Sequence, residues 1–177
     1  ATVLFTLGSN NAGLTMQPFY ASKAFGFDPL QTGALQTVRF ASGVLGLAVL
    51  LPPILRCAGP KAAIVLSCAW NTLVWPLYCV LAEGWQLYAL AAISCLGGLY
   101  FPPVRASLTA TFGAAQHGAA LASMGTIEQL AGILVPLAFT ELWSATAARP
   151  GQNVGTPFLC AGGLACLGLA CALAMPQ

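Results

Sequence analysis

Two charged residues lie deep within apolar stretches of this sequence and are its strongest candidates for chemistry. Arg39 follows Pro29 by ten residues and Glu128 follows Gly118 by ten, so each would lie about 15 Å along a helix. A charge at that depth in a membrane costs several kcal/mol and faces a partner or a water-filled cavity. Burial favours the neutral form of a carboxyl, so we expect Glu128 to bind and release a proton.

Three amide side chains accompany these charges. Gln36 lies one turn before Arg39, and Asn10 and Asn11 interrupt the first apolar stretch. The two asparagines project about 100° apart on a helix, so we expect at most one to face a solute directly. Either hydrogen bonding between helices or contact with a solute would explain these amide side chains. Because Arg39 and Glu128 have similar depths, we expect them to interact directly or through one or two waters.

Composition excludes several classes of protein. Hydrophobic residues make up 58% of the 177 residues and charged residues 6%, against roughly a quarter charged in a soluble domain. A net charge of +2 leaves no basic field for nucleic acid, so the partner we expect is the lipid bilayer. Seven cysteines without metal-ligand spacing indicate no metal site and no cofactor.

A membrane enzyme is also disfavoured by the residues present. Ser42 does not lie in the G-x-S context that an intramembrane serine protease requires. The one histidine of the sequence, His117, falls in a predicted loop rather than in a span. We therefore expect no catalytic site.

The elements that must position these residues are transmembrane helices. About 20 apolar residues cross the hydrocarbon core, and lipid-exposed open strands cannot cross it. Six stretches qualify, so we predict an all-α polytopic membrane protein in which a single domain, 1–177, forms a six-helix bundle. The predicted spans are 1–20, 30–55, 62–82, 85–106, 118–142 and 157–175.

Local signals mark the breaks between the spans. Asp28, Pro29 and Gln31 have the types expected at the N-cap, N1 and N3 positions of a helix. Gly59 and Pro60 predict the turn between the second and third spans.

Loop charges predict the orientation. One side of the membrane would carry Arg56, Lys61 and Arg105, and the other Lys23 and Arg149. Since cytoplasmic loops carry the excess of lysine and arginine, we expect the first side to be cytoplasmic. Both ends of the segment would then be cytoplasmic.

Several segments together resemble a known family. They are GGLYFPPVR at 97–105, QHGAA at 116–120, AGILVPL at 131–137 and FDPLQTG at 27–33. These resemble the major facilitator superfamily of transporters, and among them the tetracycline-resistance-like drug:proton antiporters. The turn with Arg56, Gly59 and Lys61 resembles the family's basic loop between spans eight and nine, although Leu55 stands where an aspartate is usual.

The resemblance implies that the chain is the carboxy-terminal half of a twelve-span transporter, spans seven to twelve, built from two three-helix repeats. It implies secondary active transport of a small-molecule solute by alternating access, coupled to protons, with the amino-terminal half as partner. In the family, spans seven, eight, ten and eleven line the cavity. Asn10, Asn11, Arg39 and Glu128 fall on the corresponding spans.

Two alternatives stay open. The altered basic loop is compatible with a transport-inactive receptor or scaffold of the same fold. A six-span half-transporter acting as a homodimer is the other alternative.

Overall fold

Helices form almost all of the structure. The computed structural model describes residues 2–147 and 155–174, and no strand occurs within those ranges, which confirms the all-α prediction. The helices are α1 Thr2–Phe25, α2 Pro29–Leu45, α3 Leu51–Leu77, α4 Trp85–Ile93, α5 Phe101–Thr111, α6 His117–Ala147 and α7 Thr156–Leu173.

Four helical stretches are long and apolar enough to cross a membrane. They are Pro29–Val80, Trp85–Thr111, His117–Thr146 and Thr156–Leu173, and they support a multi-pass membrane protein. Helix α1 is not among them, although its 24 residues would reach about 36 Å, because its amides and hydroxyls lower its hydropathy. Helices α7, α6 and α3 pack against it, so its polar residues are shielded from lipid.

The stretch Pro29–Val80 is 52 residues long and is broken inside. Gly59 has φ 81° and ψ 175°, a conformation that costs glycine little, and Pro60 then starts the next helical segment. The turn that Gly59 and Pro60 predict therefore exists. A π-helical turn, Gly46–Leu50, precedes Pro52 and Pro53, whose missing N–H groups interrupt the regular α-helical hydrogen bonds.

The start of α2 confirms the predicted cap. The Asp28 carboxylate accepts a hydrogen bond from the Gln31 backbone N–H at 2.6 Å. The Gln31 side chain in turn accepts one from the Asp28 N–H at 3.1 Å. Pro29 occupies the first helical turn. Two of the orphan N–H groups of the helix end are satisfied in this way.

Three helices end five residues beyond the predicted spans, and one of them is α6, which ends at Ala147 rather than at 142. Helix α1 continues to Phe25, beyond the predicted end at 20. Helix α5 continues to Thr111, so the prediction that Arg105 lies in a loop was wrong. No glycine or proline follows Val104 until Gly113, and nothing stops the helix earlier. Lys23 likewise lies within α1, and Arg149 lies outside the described residues, so the cytoplasmic placement of the two ends stays a prediction.

Buried side chains form two main clusters at opposite ends of the bundle. One contains Tyr20, Trp75, Tyr78 and Phe158. The other contains Leu7, Ile64, Tyr100, Met124 and Ala172. The start of α1 and the end of α7 therefore lie at the same end of the bundle.

Close packing of α1, α3 and α7 depends on small residues. A Cβ at Gly13 of α1 would overlap the Trp75 ring of α3. A Cβ at Gly168 of α7 would lie 2.8 Å from the Thr6 hydroxyl oxygen, and one at Gly162 would lie 3.0 Å from Pro76. In lipid, where van der Waals contact replaces the hydrophobic effect as the force between helices, such approaches hold a bundle together.

Substituting Gly13→Ala is expected to destabilise the bundle by roughly 1–3 kcal/mol, because the added methyl must displace Trp75. Gly33→Ala is the matched control, since a Cβ on Gly33 meets nothing within 4 Å. Unfolding of both variants in mixed detergent micelles, followed by tryptophan fluorescence, measures the difference. Equal stability of the two variants would contradict this packing.

Candidate functional site

Arg39 lies inside the bundle rather than on its surface. Its side chain on α2 is buried, with the residue 9% exposed, and its Nη1 donates a hydrogen bond to Gln17 Oε1 on α1 at 3.2 Å. The guanidinium also lies over the Trp75 ring of α3, 4.9 Å from its centroid. A cation in this position is attracted by the negative face of the ring.

The contact with Arg39 continues as a chain of polar groups. Gln17 Nε2 donates to the Tyr78 hydroxyl at 3.1 Å, so the amide uses its oxygen towards the cation and its nitrogen towards the phenol. The Tyr20 hydroxyl donates to the Tyr78 carbonyl at 2.6 Å. The Tyr78 ring stacks on Phe158 of α7, with centroids 4.6 Å apart and planes 11° apart. Four helices thus hold this network in place.

A cavity of about 220 Å³ opens in front of Arg39. Helices α1, α2 and α3 and the segment that follows α4 enclose it, about halfway along the bundle. The lining residues are Asn10, Leu14, Arg39, Phe40, Gly43, Val44, Leu47, Trp70, Asn71, Val74, Ser94, Gly97 and Gly98.

The cavity contains two of the five predicted pathway residues, Asn10 and Arg39. Asn11 is not among its lining residues. Gln36 does not line it either, and its Oε1 is buried without a hydrogen-bond partner among the described residues. Glu128 lies elsewhere, on α6.

The helix beside the cavity is broken. After α4 the chain forms a 3-10 turn, Ser94–Leu96, and further turns before α5. The carbonyl of Gly97 accepts hydrogen bonds from Ser67 Oγ at 2.7 Å and Asn71 Nδ2 at 3.1 Å. Backbone freed from a helix at membrane depth must be satisfied in this way where it lines a cavity. Discontinuous helices of this kind form solute sites in many transporters.

Glu128 forms an ion pair with Arg105 of α5, with 2.6 Å between Oε2 and Nη2. The side chain of Arg105 is 52% exposed and that of Glu128 15%. The prediction that Glu128 interacts with Arg39 was wrong. Its partner comes from α5, which packs on α6, whereas α2 packs mainly on α4 and the turn after it. Equal depth along two helices does not make them neighbours.

The second oxygen of Glu128, Oε1, is buried and has no hydrogen-bond partner in the described part of the chain. The same holds for the Tyr100 hydroxyl, which is near enough to interact electrostatically with Glu128.

A larger apolar crevice of about 740 Å³ lies between α5 and the first half of α6. Met124 and Ile127, the neighbours of Glu128 on α6, contribute to its wall, with Val104 and Leu108 from α5. The ion pair of Arg105 and Glu128 joins the two helices that form its sides.

The predicted loop motif lies at the Gly59 turn. Arg56 is exposed there and Lys61 is partly buried. The positive φ of Gly59 makes the turn possible, whereas the neighbouring charges do not enter either cavity.

Sequence reasoning missed Gln17, Asn71, Trp75 and Tyr78 as site residues. Their spacing along the sequence contains a signal that could have identified them. Gln17 follows Asn10 by seven residues and so shares its helix face. Asn71, Trp75 and Tyr78 follow the i, i+4, i+7 pattern of one face. Across residues 2–147 and 155–174, no three His, Cys, Asp or Glu side chains come together to hold a metal.

Comparison with known proteins gives one informative similarity. The chain is 23% identical over 128 residues to the tetracycline resistance protein, class G, of Vibrio anguillarum. The match covers 72% of this chain and 33% of that protein, so the chain spans about a third of its length. No family model and no solved structure matches the chain.

Double-mutant cycles test which arginine interacts with Glu128. Combining Arg105→Gln with Glu128→Gln is expected to show a coupling of roughly 0.2–1 kcal/mol, the range of a partly exposed pair. The matched cycle of Arg39→Gln with Glu128→Gln is expected to be additive, since the two side chains share no partner. Stability in mixed micelles is the measurement. Coupling to Arg39 with none to Arg105 would refute the arrangement.

Proposed function

We propose that the chain is the carboxy-terminal half of a secondary transporter that moves a small solute by alternating access, coupled to protons. The observation that carries the proposal is the network of Arg39, Gln17 and Tyr78 at the edge of a cavity within an apolar helical bundle. A static membrane anchor has no use for a buried cation beside an internal cavity, because the charge costs several kcal/mol. A solute-binding protein uses such a cation to contact its solute.

In this proposal the bundle has six spans. The break at Gly59 divides Pro29–Val80 into two segments, and the enclosed helix α1 adds a sixth to the four stretches. The bundle then consists of two three-helix repeats, equivalent to spans seven to twelve. We place both ends of the segment in the cytoplasm.

The partner of this bundle is an amino-terminal half, and the two halves would rock about the solute site in the lipid bilayer. Large apolar side chains along one face of α6 are exposed and available for contact with lipid or with that half. They are Ile127, Leu130, Ile133, Leu134 and Leu137. The similarity to a protein about three times as long as the matched region supports a missing half.

Proton coupling in this proposal belongs to Glu128. Its negative charge attracts Arg105 and holds α5 against α6. When Glu128 binds a proton the attraction is lost, and the two helices can separate at the crevice. Solute movement would be linked to the proton because both depend on the position of α5, whose preceding turn lines the cavity at Gly97 and Gly98.

The test uses the full-length protein in proteoliposomes. Glu128→Gln is expected to abolish transport driven by a pH gradient, because the amide carries no exchangeable charge, while exchange of solute at equal pH persists. Glu141→Gln is the matched control, since Glu141 is the other carboxyl of α6 and is exposed. Uptake of a labelled solute with and without the gradient is the measurement.

The outcomes separate the alternatives. Wild-type gradient-driven uptake by Glu128→Gln would show that the carboxyl is structural. Absence of flux for every solute tried, in a protein that still binds them, would favour the transport-inactive receptor. Flux from the 177-residue chain alone would favour the homodimer.

A further inference from the structure

Arg39 is a buried cation without a carboxylate partner within the described residues. The ion pair found there joins Arg105 and Glu128, and the contacts of Arg39 are a neutral amide, a neutral phenol and an indole ring. A guanidinium removed from water at this depth lacks the anion that would offset its desolvation. The space in front of it is the cavity.

The cavity wall combines hydrogen-bond donors with apolar surface. Asn10, Asn71 and Ser94 are its uncharged polar side chains, and no acid lines it. The remaining wall is apolar and partly aromatic, with Phe40 and Trp70 as the largest side chains. A ligand that fits this wall has one anionic end and an apolar body.

A carboxylate of the missing half is a poor candidate for the anion. Arg39 is enclosed by helices of its own bundle and is 9% exposed. A carboxylate side chain of that half would have to extend into the space of about 220 Å³ in front of the guanidinium, and a small molecule can fill the same space.

We propose that the cavity binds a small amphipathic organic anion, with its carboxylate on Arg39 and its apolar body against Phe40 and Trp70. A guanidinium matches a carboxylate in charge and in planar shape. The proposal rests on the proposed function and names the substrate class of the same site.

Benzoate is a suitable probe because it has a carboxylate on a flat apolar body. Full-length protein in detergent is titrated with labelled benzoate by equilibrium dialysis, and with neutral benzamide and cationic benzylamine as competitors. We expect benzoate to bind and to be displaced by other aromatic acids, and not by benzamide or benzylamine. Arg39→Gln is expected to weaken benzoate binding by roughly tenfold or more, since a charged hydrogen bond is lost.

Two further variants serve as controls for a folding defect. Arg39→Lys keeps the charge without the planar fork and is expected to retain part of the affinity. Arg56→Gln removes an exposed arginine that lines neither cavity and is expected to leave benzoate binding unchanged. If Arg39→Gln does not fold, the comparison of benzoate with benzamide on the unmodified protein decides.

Equal binding of benzoate and benzamide would overturn the inference, as would loss of benzoate binding in Arg56→Gln but not in Arg39→Gln. No binding of benzoate would also overturn it and would leave a carboxylate of the missing half as the partner of Arg39. Failure of the proposed transport function can be distinguished from failure of the anion site. Benzoate binding without solute flux in vesicles contradicts transport and upholds the anion site, and flux without benzoate binding does the reverse.

Discussion

The arrangement of this bundle depends on holding the Arg39 guanidinium away from water. Its charge is contacted by the Gln17 amide at 3.2 Å and by the Trp75 ring at 4.9 Å. Neither partner is charged, so the cation is stabilised by oriented dipoles and ring electrons rather than by a neutralising carboxylate. This requires α1, α2 and α3 to meet at one place, and the cavity lies where they meet.

Close packing on the far side of the ring makes this meeting possible. Trp75 presses against α1 at Gly13, where any larger residue would overlap it. Tyr78 and Phe158 stack behind it, 4.6 Å apart, and join α7 to the same cluster. A rigid aromatic wall therefore supports the polar network from one side. The broken helix at Ser94–Leu96, with glycines on the cavity wall, forms the other side.

Much of the fold follows from local rules, whereas the site depends on packing. Asp28 and Gly59 were correctly interpreted because a cap and a left-handed turn depend on a few adjacent residues. Glu128 was matched with the wrong arginine because position along a helix sets depth, while the neighbour is set by how helices pack. For the same reason the sequence could say that at most one of Asn10 and Asn11 faces a solute, but not which.

The most direct test of this account asks whether solutes in water reach the space in front of Arg39. In a full-length protein without native cysteines, Asn10→Cys is compared with Leu167→Cys, which lies on the exposed face of α7. Each is treated with anionic and cationic methanethiosulfonates. The account predicts that the thiol at position 10 reacts, and faster with the anionic reagent, while the thiol at position 167 does not. Equal reaction at both positions, or faster reaction of position 10 with the cation, would contradict it.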